Sequence, residues 1–391
     1  MNILFYHKCV IDPQSGGISK ITYTLADVFK TYNHNVYFLS EKENKKIKMR
    51  SIQYVLPNND VISEENIVYF QKLLNEKNID IVINQYALNS VSSSFLELCK
   101  SKFNFKLVSC FHNSILTPIY NFAYQKEYIL KKNKLSVLYR LLKTDILKSI
   151  LIKLYIKRHR THYRDTVNGS DAVVSLCEGL RDELFKMIGD YSGTNHYVIP
   201  NCVHIPDNYI LNKRNDIIWV GTFDNSVKRP DLMLEIWPQI SEKCPNWTLR
   251  FLGDGPSYNE MKNLAERKKM EHVVFEGRVS PEEYYKKAKV LCLTSTHESF
   301  SLVTVEAKRY GVVPIIMNTF PAAEIIVNDG VDGILVNHYD KKKYAQNVIN
   351  LLLNPLKLKE MSKMCLLSKE QFSPNLIYRY WNNLFLELNC I

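Results

Sequence analysis

The chain has 391 residues, 46% hydrophobic and 23% charged, with nine cysteines and a formal net charge of +11 at pH 7. That length exceeds one typical domain and provides for two, each with its own core, and the composition is that of a globular chain. No apolar run approaches the roughly 20 residues of a membrane span, and the scattered cysteines, without a CxxC pair, fit neither a disulfide framework nor a zinc site.

The first stretch, "MNILFYHKCVIDPQSGG", has no basic n-region and no small-residue cleavage pattern. It reads as a first strand rather than a signal peptide, so the expected location is the cytoplasm. Short β-branched runs then alternate with amphipathic stretches, the pattern of βαβ units around parallel sheets. In the first half these strands are "NILFYH", "NVYFLS", "IDIVIN", "FKLVSCFH" and "DAVVSL".

Between Lys126 and Arg164 the chain carries 12 Lys/Arg against two acids, Glu127 and Asp145, whereas the remaining residues carry 39 against 38. The basic character therefore belongs to this one segment, and an anionic partner is to be sought there. Within it Leu135, Leu138, Leu142, Ile146 and Ile150 recur at helical spacing among Lys131, Lys132, Arg140, Lys143, Lys148, Lys153 and Lys157. This predicts one amphipathic cationic helix, whose stripe either packs on a sheet or meets an anionic surface. Anionic lipid head groups suit the charge better than nucleic acid, because no nucleic-acid-binding module accompanies it.

Near "YVIPNCVHIPDNYILNKRND" Pro and Asn cluster and periodicity lapses, which predicts a boundary between domains spanning 1–205 and 206–372. Six further strands follow: "DIIWVG", "WTLRFLG", "HVVFEG", "KVLCLTS", "VVPIIM" and "GILV". After the first, Gly221 ends the strand, a loop follows, and Lys228 and Arg229 precede Pro230 at a helix start. Two cations beside a helix N-terminus make a candidate phosphate clamp; read alone, they are also an ordinary solvated pair. The "GDGP" turn can admit a ligand close to the backbone or be a tight turn only.

In "HESFSLVTVEA" Glu298 and Glu306 stand eight positions apart across a loop and a helix start. If Ser299 or a neighbour caps that helix, its first-turn amides face the carboxyl end of the sheet, where ligands bind in open α/β folds. One carboxylate can then reach hydroxyls on one side of a bound diphosphate, and the second hydroxyls on the other. By itself the spacing is common, and the pair is equally a loop acid and an acid favoured by the helix dipole.

Taken together, residues roughly 216–336 resemble the donor-binding domain of retaining GT-B glycosyltransferases, through "WVG", Lys228, "FLGDGP", "FEG", the E-x7-E segment, "GVVP" and "NDGVDGILV". In the first half the resemblance rests on Gly16-Gly17, on "FHNS" with His112, and on "VIPNCV". It implies the α/β GT-B fold: two Rossmann-like domains with parallel sheets facing each other across a cleft, the acceptor-side one completed by the last helix, 373–391. It also implies roles. Glu298 would bind hydroxyls of the donor sugar, Glu306 the ribose and Lys228 the diphosphate. The amides of Phe300, Ser301 and Leu302 would meet sugar and phosphates, Gly16 and Gly17 would close over the diphosphate, and His112 would lie near the transferred sugar.

Four positions depart from the family pattern. Thr222, directly after Gly221, stands where Arg is usual, so one diphosphate cation is missing or supplied by Arg229. Ser301 replaces a common glycine, which would crowd the sugar pocket, Asn113 replaces a frequent acid, and Cys202 replaces the glycine of an Asn-Gly turn. The implied activity is transfer from a nucleotide-diphosphate sugar to a glycan or lipid-linked acceptor in cell-surface polysaccharide synthesis, with retention at the anomeric carbon. The leaving phosphate would take the acceptor proton, fixed cations and helix amides would stabilise it, and neither metal nor cofactor is expected. The enzyme would sit at the inner face of the plasma membrane through residues 126–164, with no nucleic acid bound. Two alternatives share the architecture. A nucleotide-sugar epimerase needs an acid–base set beyond His112 and His297, and a non-catalytic sugar-nucleotide or nucleic-acid binding protein would accommodate Thr222.

Overall fold

The computed structural model describes residues 1–13, 16–43, 53–189, 193, 195–204, 213–337 and 339–390; the expected boundary at 205–206 lies outside them. The first sheet has seven parallel strands: β1 (Asn2–Cys9), β2 (Asn35–Lys42), β3 (Tyr54–Val55), β4 (Ile81–Asn84), β5 (Lys106–Phe111), β6 (Ala172–Ser175) and β7 (His196–Val198). Their order is β3-β2-β1-β4-β5-β6-β7. The second sheet has six: β8 (Asp216–Val220), β9 (Thr248–Leu252), β10 (Val273–Gly277), β11 (Val290–Leu293), β12 (Val313–Asn318) and β13 (Ile334–Asn337), in the order β10-β9-β8-β11-β12-β13. Both are doubly wound Rossmann-like sheets, each with one point where the strand order reverses, at β1/β4 and at β8/β11. Helices cover both faces of such sheets, so their central strands are apolar throughout rather than alternating. Every residue of β8 and β11 is buried.

The chain divides into two compact units: residues 1–115, 154–204 and 372–391, and residues 116–153 and 205–371. In the first, the helix Pro374–Glu387 starts at Ser373, whose side chain accepts from the amide of Leu376, and packs Trp381 and Phe385 edge-on against Phe29 at 5.6 and 5.5 Å. In the second, Trp219, Phe223, Trp237 and Phe251 centre the core.

The division departs from the expected one at residues 116–153, which belong to the second unit rather than the acceptor-side domain. Specific contacts within that unit explain it. Asn121 Nδ2 donates to the carbonyls of Thr296 and Thr319 at 2.6 and 2.9 Å, Tyr124 stacks on Tyr339 at 3.6 Å, and Tyr128 donates to Glu260 at 2.7 Å. The single cationic helix expected here is three: Phe122–Lys132, Ser136–Leu142 and Asp145–Asn168. The first break falls at Lys134, which takes a left-handed φ of 59° that no helix interior tolerates. Among the described residues no helix is long and apolar enough to cross a membrane.

The glycines of the "GDGP" turn serve the protein's own backbone. A Cβ on Gly253 would lie 1.9 Å from the carbonyl oxygen of Gly221, and one on Gly255 would lie 2.8 Å from the Phe223 amide nitrogen. Gly221 and Phe223 amides donate across this contact to Leu252 and Asp254, both at 3.0 Å. Gly253→Ala should therefore destabilise the protein by about 3 kcal/mol or more, since both backbones must move and φ is +137°. Gly330→Ala, at φ +76° with open space around it, should cost only about 1 kcal/mol. Chemical denaturation of the two variants checks the ordering, and equal losses would contradict it.

Candidate functional site

The loops that follow β8 and β11 leave the second sheet at its reversal point, on the carboxyl edge. The first, Gly221 to Arg229, is held by Asp224, whose Oδ1 accepts from Ser226 N, Ser226 Oγ and Val227 N at 2.7, 2.6 and 3.3 Å. Burial works to raise the Asp224 pKa, but these hydrogen bonds to the charged form outweigh it and hold the group below its ordinary value. The second loop is stitched to the first. Thr294 Oγ1 donates to the Arg229 carbonyl at 2.8 Å, the Thr296 amide donates to Val227 O at 2.7 Å, and Thr296 Oγ1 donates to Ser226 O at 2.9 Å.

This stitching sets Lys228 Nζ 2.5 Å from Glu298 Oε1. The same carboxylate oxygen accepts from Ser295 Oγ at 2.7 Å, so Glu298 is held from two sides while only 9% exposed; Lys228 is 26% exposed. The structure thus brings together Gly221, Lys228, Glu298 and the start of the helix Leu302–Arg309. Phe300 is buried and Thr222 is exposed. Beside them burial lowers the pKa of His297, whose Nδ1 lies 3.2 Å from Thr296 Oγ1.

Arg229 does not join them. Although next to Lys228, it is 1% exposed and turned into the interior, where Nε and Nη2 bond both oxygens of Asp231, Nη2 reaches Glu127 at 3.1 Å, and Nη1 donates to the Tyr124 carbonyl at 2.9 Å. The expected second diphosphate cation is therefore a structural one, all of whose guanidinium nitrogens are engaged. Its backbone takes a left-handed φ of 56°, which turns the side chain away from the direction of its neighbour.

Ser301 departs in a different sense from that expected. It is the N-cap of the helix, with φ 51° and ψ 66° and no side-chain bond to a first-turn amide; its Oγ instead lies 2.8 Å from the hydroxyl of Thr304 in that turn. A glycine suits this position because the backbone is left-handed, and a serine there costs about 1 kcal/mol of conformational strain. Glu306, the fifth residue of the helix, is partly buried and accepts from Tyr285 OH at 3.2 Å.

In the first unit Gly16, with φ 153°, is the exposed N-cap of the helix Gly17–Thr31, and among the described residues beyond its chain neighbours none comes within 4 Å of where its Cβ would be. His112 follows β5, is buried, and bonds through Nε2 to Gln85 Oε1. Gln85 follows β4, and its backbone N–H donates to Tyr6 O at 3.1 Å. His7 on β1 is likewise buried, with Nδ1 donating to Cys9 O at 2.7 Å and Nε2 lying 3.5 Å from Ser19 Oγ. Burial lowers the pKa of both histidines to about 4, in His112 with a further push from His7.

Sequence reasoning missed Ser295 as the support of Glu298, Tyr285 as the support of Glu306, and Gln85 and His7 beside His112. The run "TSTHES" after β11 was the available signal for the first, since hydroxyls clustered at a strand end commonly bond neighbouring loops. Asn121 and Gln85 had none. Among the described residues no group of three His, Cys, Asp or Glu is gathered so as to hold a metal ion.

Neutral His7 and His112 set a sign for pH dependence. Between pH 6.5 and 4 the unfolded chain takes up protons that the folded one does not, so their contribution is complete above pH 6.5 and is lost as pH falls towards 4. Each should contribute a slope of up to about 1.4 kcal/mol per pH unit in that window. Urea midpoints measured across it should fall with pH, and His7→Gln/His112→Gln should flatten the profile.

The family model described as glycosyl transferases group 1 matches residues 204–365. An uncharacterized glycosyltransferase of Haemophilus influenzae is 27% identical over 223 residues, 56% of this chain and 62% of that one. The amylovoran biosynthesis glycosyltransferase AmsD of Erwinia amylovora is 25% identical over 205 residues, 51% and 55% respectively. The chain thus spans 55 to 62% of the length of these relatives. Among solved structures, sucrose-phosphate synthase from Thermosynechococcus elongatus superposes with a TM-score of 0.75 at 16% identity, covering 100% of both chains. Anabaena HepE in complex with UDP does so at 0.74 and 15%, covering 99% of this chain and 100% of that one. At these identities the likeness shows the fold, which is that of GT-B glycosyltransferases.

Proposed function

We propose that this chain, whose residues 204–365 belong to the glycosyl transferases group 1 family, transfers a sugar from a nucleotide-diphosphate donor to a glycan or lipid-linked acceptor. The process served is synthesis of a cell-surface polysaccharide at the cytoplasmic face of the membrane, with retention at the anomeric carbon and without a metal. The observation that carries the reading is the Lys228–Glu298 pair, 2.5 Å apart at the reversal point of the second sheet beside a helix N-terminus. That position in an open α/β sheet is where ligands bind. Support also comes from AmsD, named for amylovoran biosynthesis, and from HepE, whose structures hold UDP and UDP-glucose. Uridine diphosphate sugars are accordingly the first donors to try.

The chemistry follows from the charges. Breaking a glycosyl–phosphate bond places negative charge on the diphosphate and positive charge on the sugar. Lys228 meets the first, together with the amides of Phe300, Ser301 and Leu302 at the helix start, and fixed donors of this kind lower the barrier without reorganising. Glu298 exchanges its bond to Lys228 for hydroxyls of the donor sugar, kept in place by Ser295. Glu306 takes the ribose. With Arg229 engaged in the interior and Thr222 offering only a hydroxyl, Lys228 carries the diphosphate charge for this loop.

A thermal-shift screen of nucleotide sugars identifies the donor: binding at a hundred times the dissociation constant adds about 2.7 kcal/mol. Product analysis then tests the reaction, since transfer releases nucleoside diphosphate only when acceptor is present. A new sugar nucleotide without acceptor would mean epimerisation, and binding without turnover a non-catalytic protein.

Lys228→Ala should fold normally and turn over about 100-fold more slowly, because a charge that stabilises the transition state is lost. Arg229→Ala should instead lose about 3–5 kcal/mol of stability by leaving Asp231 buried without its cation and Glu127 with only Lys131 and Lys341. Steady-state rates read beside denaturation curves separate the two, and a stable, inactive Arg229→Ala would reverse the assignment.

The two glutamates are distinguished by ligand. Glu306→Gln should weaken free nucleoside diphosphate and donor alike, whereas Glu298→Gln should impair donor binding and turnover while sparing nucleoside diphosphate. Calorimetric titration of both variants with both ligands decides, and equal loss of nucleoside diphosphate binding would sink the assignment.

A further inference from the structure

The helix Ser136–Leu142 contains no buried residue. Seven residues are too few for a helix to be stable in water by itself, and most helical stability in proteins comes from packing an apolar face. Among the described residues nothing buries its apolar face. Val137 is 72% exposed, Leu138 44% and Leu141 54%, at the spacing of one helix side. The helix that follows after Lys143 and Thr144 continues the pattern with Ile146 at 77% and Ile150 at 48%. Single exposed aliphatics are ordinary, but five within 14 positions on consecutive helices are a surface that excludes water only when something covers it.

The charge around them indicates what that is. Lys134, Arg140, Lys143, Lys148 and Lys153 are interleaved with these residues, against one acid, Asp145. Lys131 and Lys132, by contrast, are paired with Glu127 and Glu260 and belong to the packing of the preceding helix. A second copy of the chain would set one cationic face against another. Nucleic acid would take the cations and leave the aliphatic side chains in water. An anionic bilayer satisfies both, with aliphatic side chains at the acyl boundary and lysines among the phosphates.

We infer that residues 134–153 form a docking face that inserts into anionic lipid bilayers, and that apolar penetration adds to charge attraction there. This inference is independent of sugar transfer, because it is read without donor or acceptor. The distinction from a purely electrostatic surface is measurable. At about 1 M salt the screening length is about 3 Å, so exposed charge pairs release while inserted side chains hold.

The test uses the full chain and vesicles of phosphatidylcholine with and without phosphatidylglycerol. The wild type should float with the anionic vesicles and keep part of that binding at about 1 M salt. In a Val137→Trp variant the added emission should shift to the blue on mixing and be quenched by brominated acyl chains. Val137→Asp/Leu141→Asp/Ile146→Asp should bind at least about tenfold more weakly at any salt. All three residues are exposed, so its thermal midpoint without vesicles should match the wild type. Lys134→Gln/Arg140→Gln/Lys148→Gln should weaken binding chiefly at low salt. Three results would overturn the inference: a triple aspartate variant that floats as the wild type does, an indole in the Val137→Trp variant that stays in water, or concentration-dependent dimers of the wild type that the aspartates abolish.

Discussion

A single buried guanidinium organises the second unit. Arg229 meets Asp231 with two nitrogens, Glu127 with one of these, and the Tyr124 carbonyl with the third. Burial alone would raise the Glu127 pKa, yet Arg229, with Lys131 and Lys341, holds it to about 2. The cation could be stripped of water only because its partners were in place, and this mutual requirement ties the helix Phe122–Lys132 to the loop after β8. It also decides the direction of Lys228. Two adjacent cations on a turn differ in destination because one of them has anions waiting inside, and the other is left at the sheet edge beside Glu298.

The fold was largely legible because parallel strands covered on both faces are continuous apolar runs. "DIIWV" and "VLCL" appear in the structure as fully buried β8 and β11, and all six strands of the second sheet were found this way. The strands that escaped are β3 and β7, two and three residues long and partly buried at the sheet edges. Such edges carry too few side chains for a pattern. The membership of residues 116–153 was equally invisible, because it rests on bonds such as Asn121 to Thr319 that join positions 198 apart.

For the candidate site, the residue types were readable and their geometry was not. Lys228 and Glu298 stood out by position relative to strand ends, which local pattern does encode. Arg229 stood out equally, and nothing local said that Glu127, 102 positions earlier, would claim it. The glycines of "GDGP" and the serine at 301 show the same limit. Each marks a backbone requirement, a close approach or a left-handed φ, which another loop or the helix start imposes.

Both units are discontinuous in the chain, and this bears on how the protein is made. The helix Phe122–Lys132 finds its partners at Arg229, Glu260 and Tyr339, while the first unit receives its last helix from residues 374–387, with Tyr378 bonded to His34 and Trp381 on Phe29. A chain emerging from its N-terminus thus displays the helix Phe122–Lys132 before the surface that receives it exists, and the unit begun first is finished last. Such long sequence separations slow folding, since loop closure must precede the contacts that reward it. They also mean that a gene cut near codon 205 would yield two fragments, each missing part of its own core and each carrying a piece of the other's.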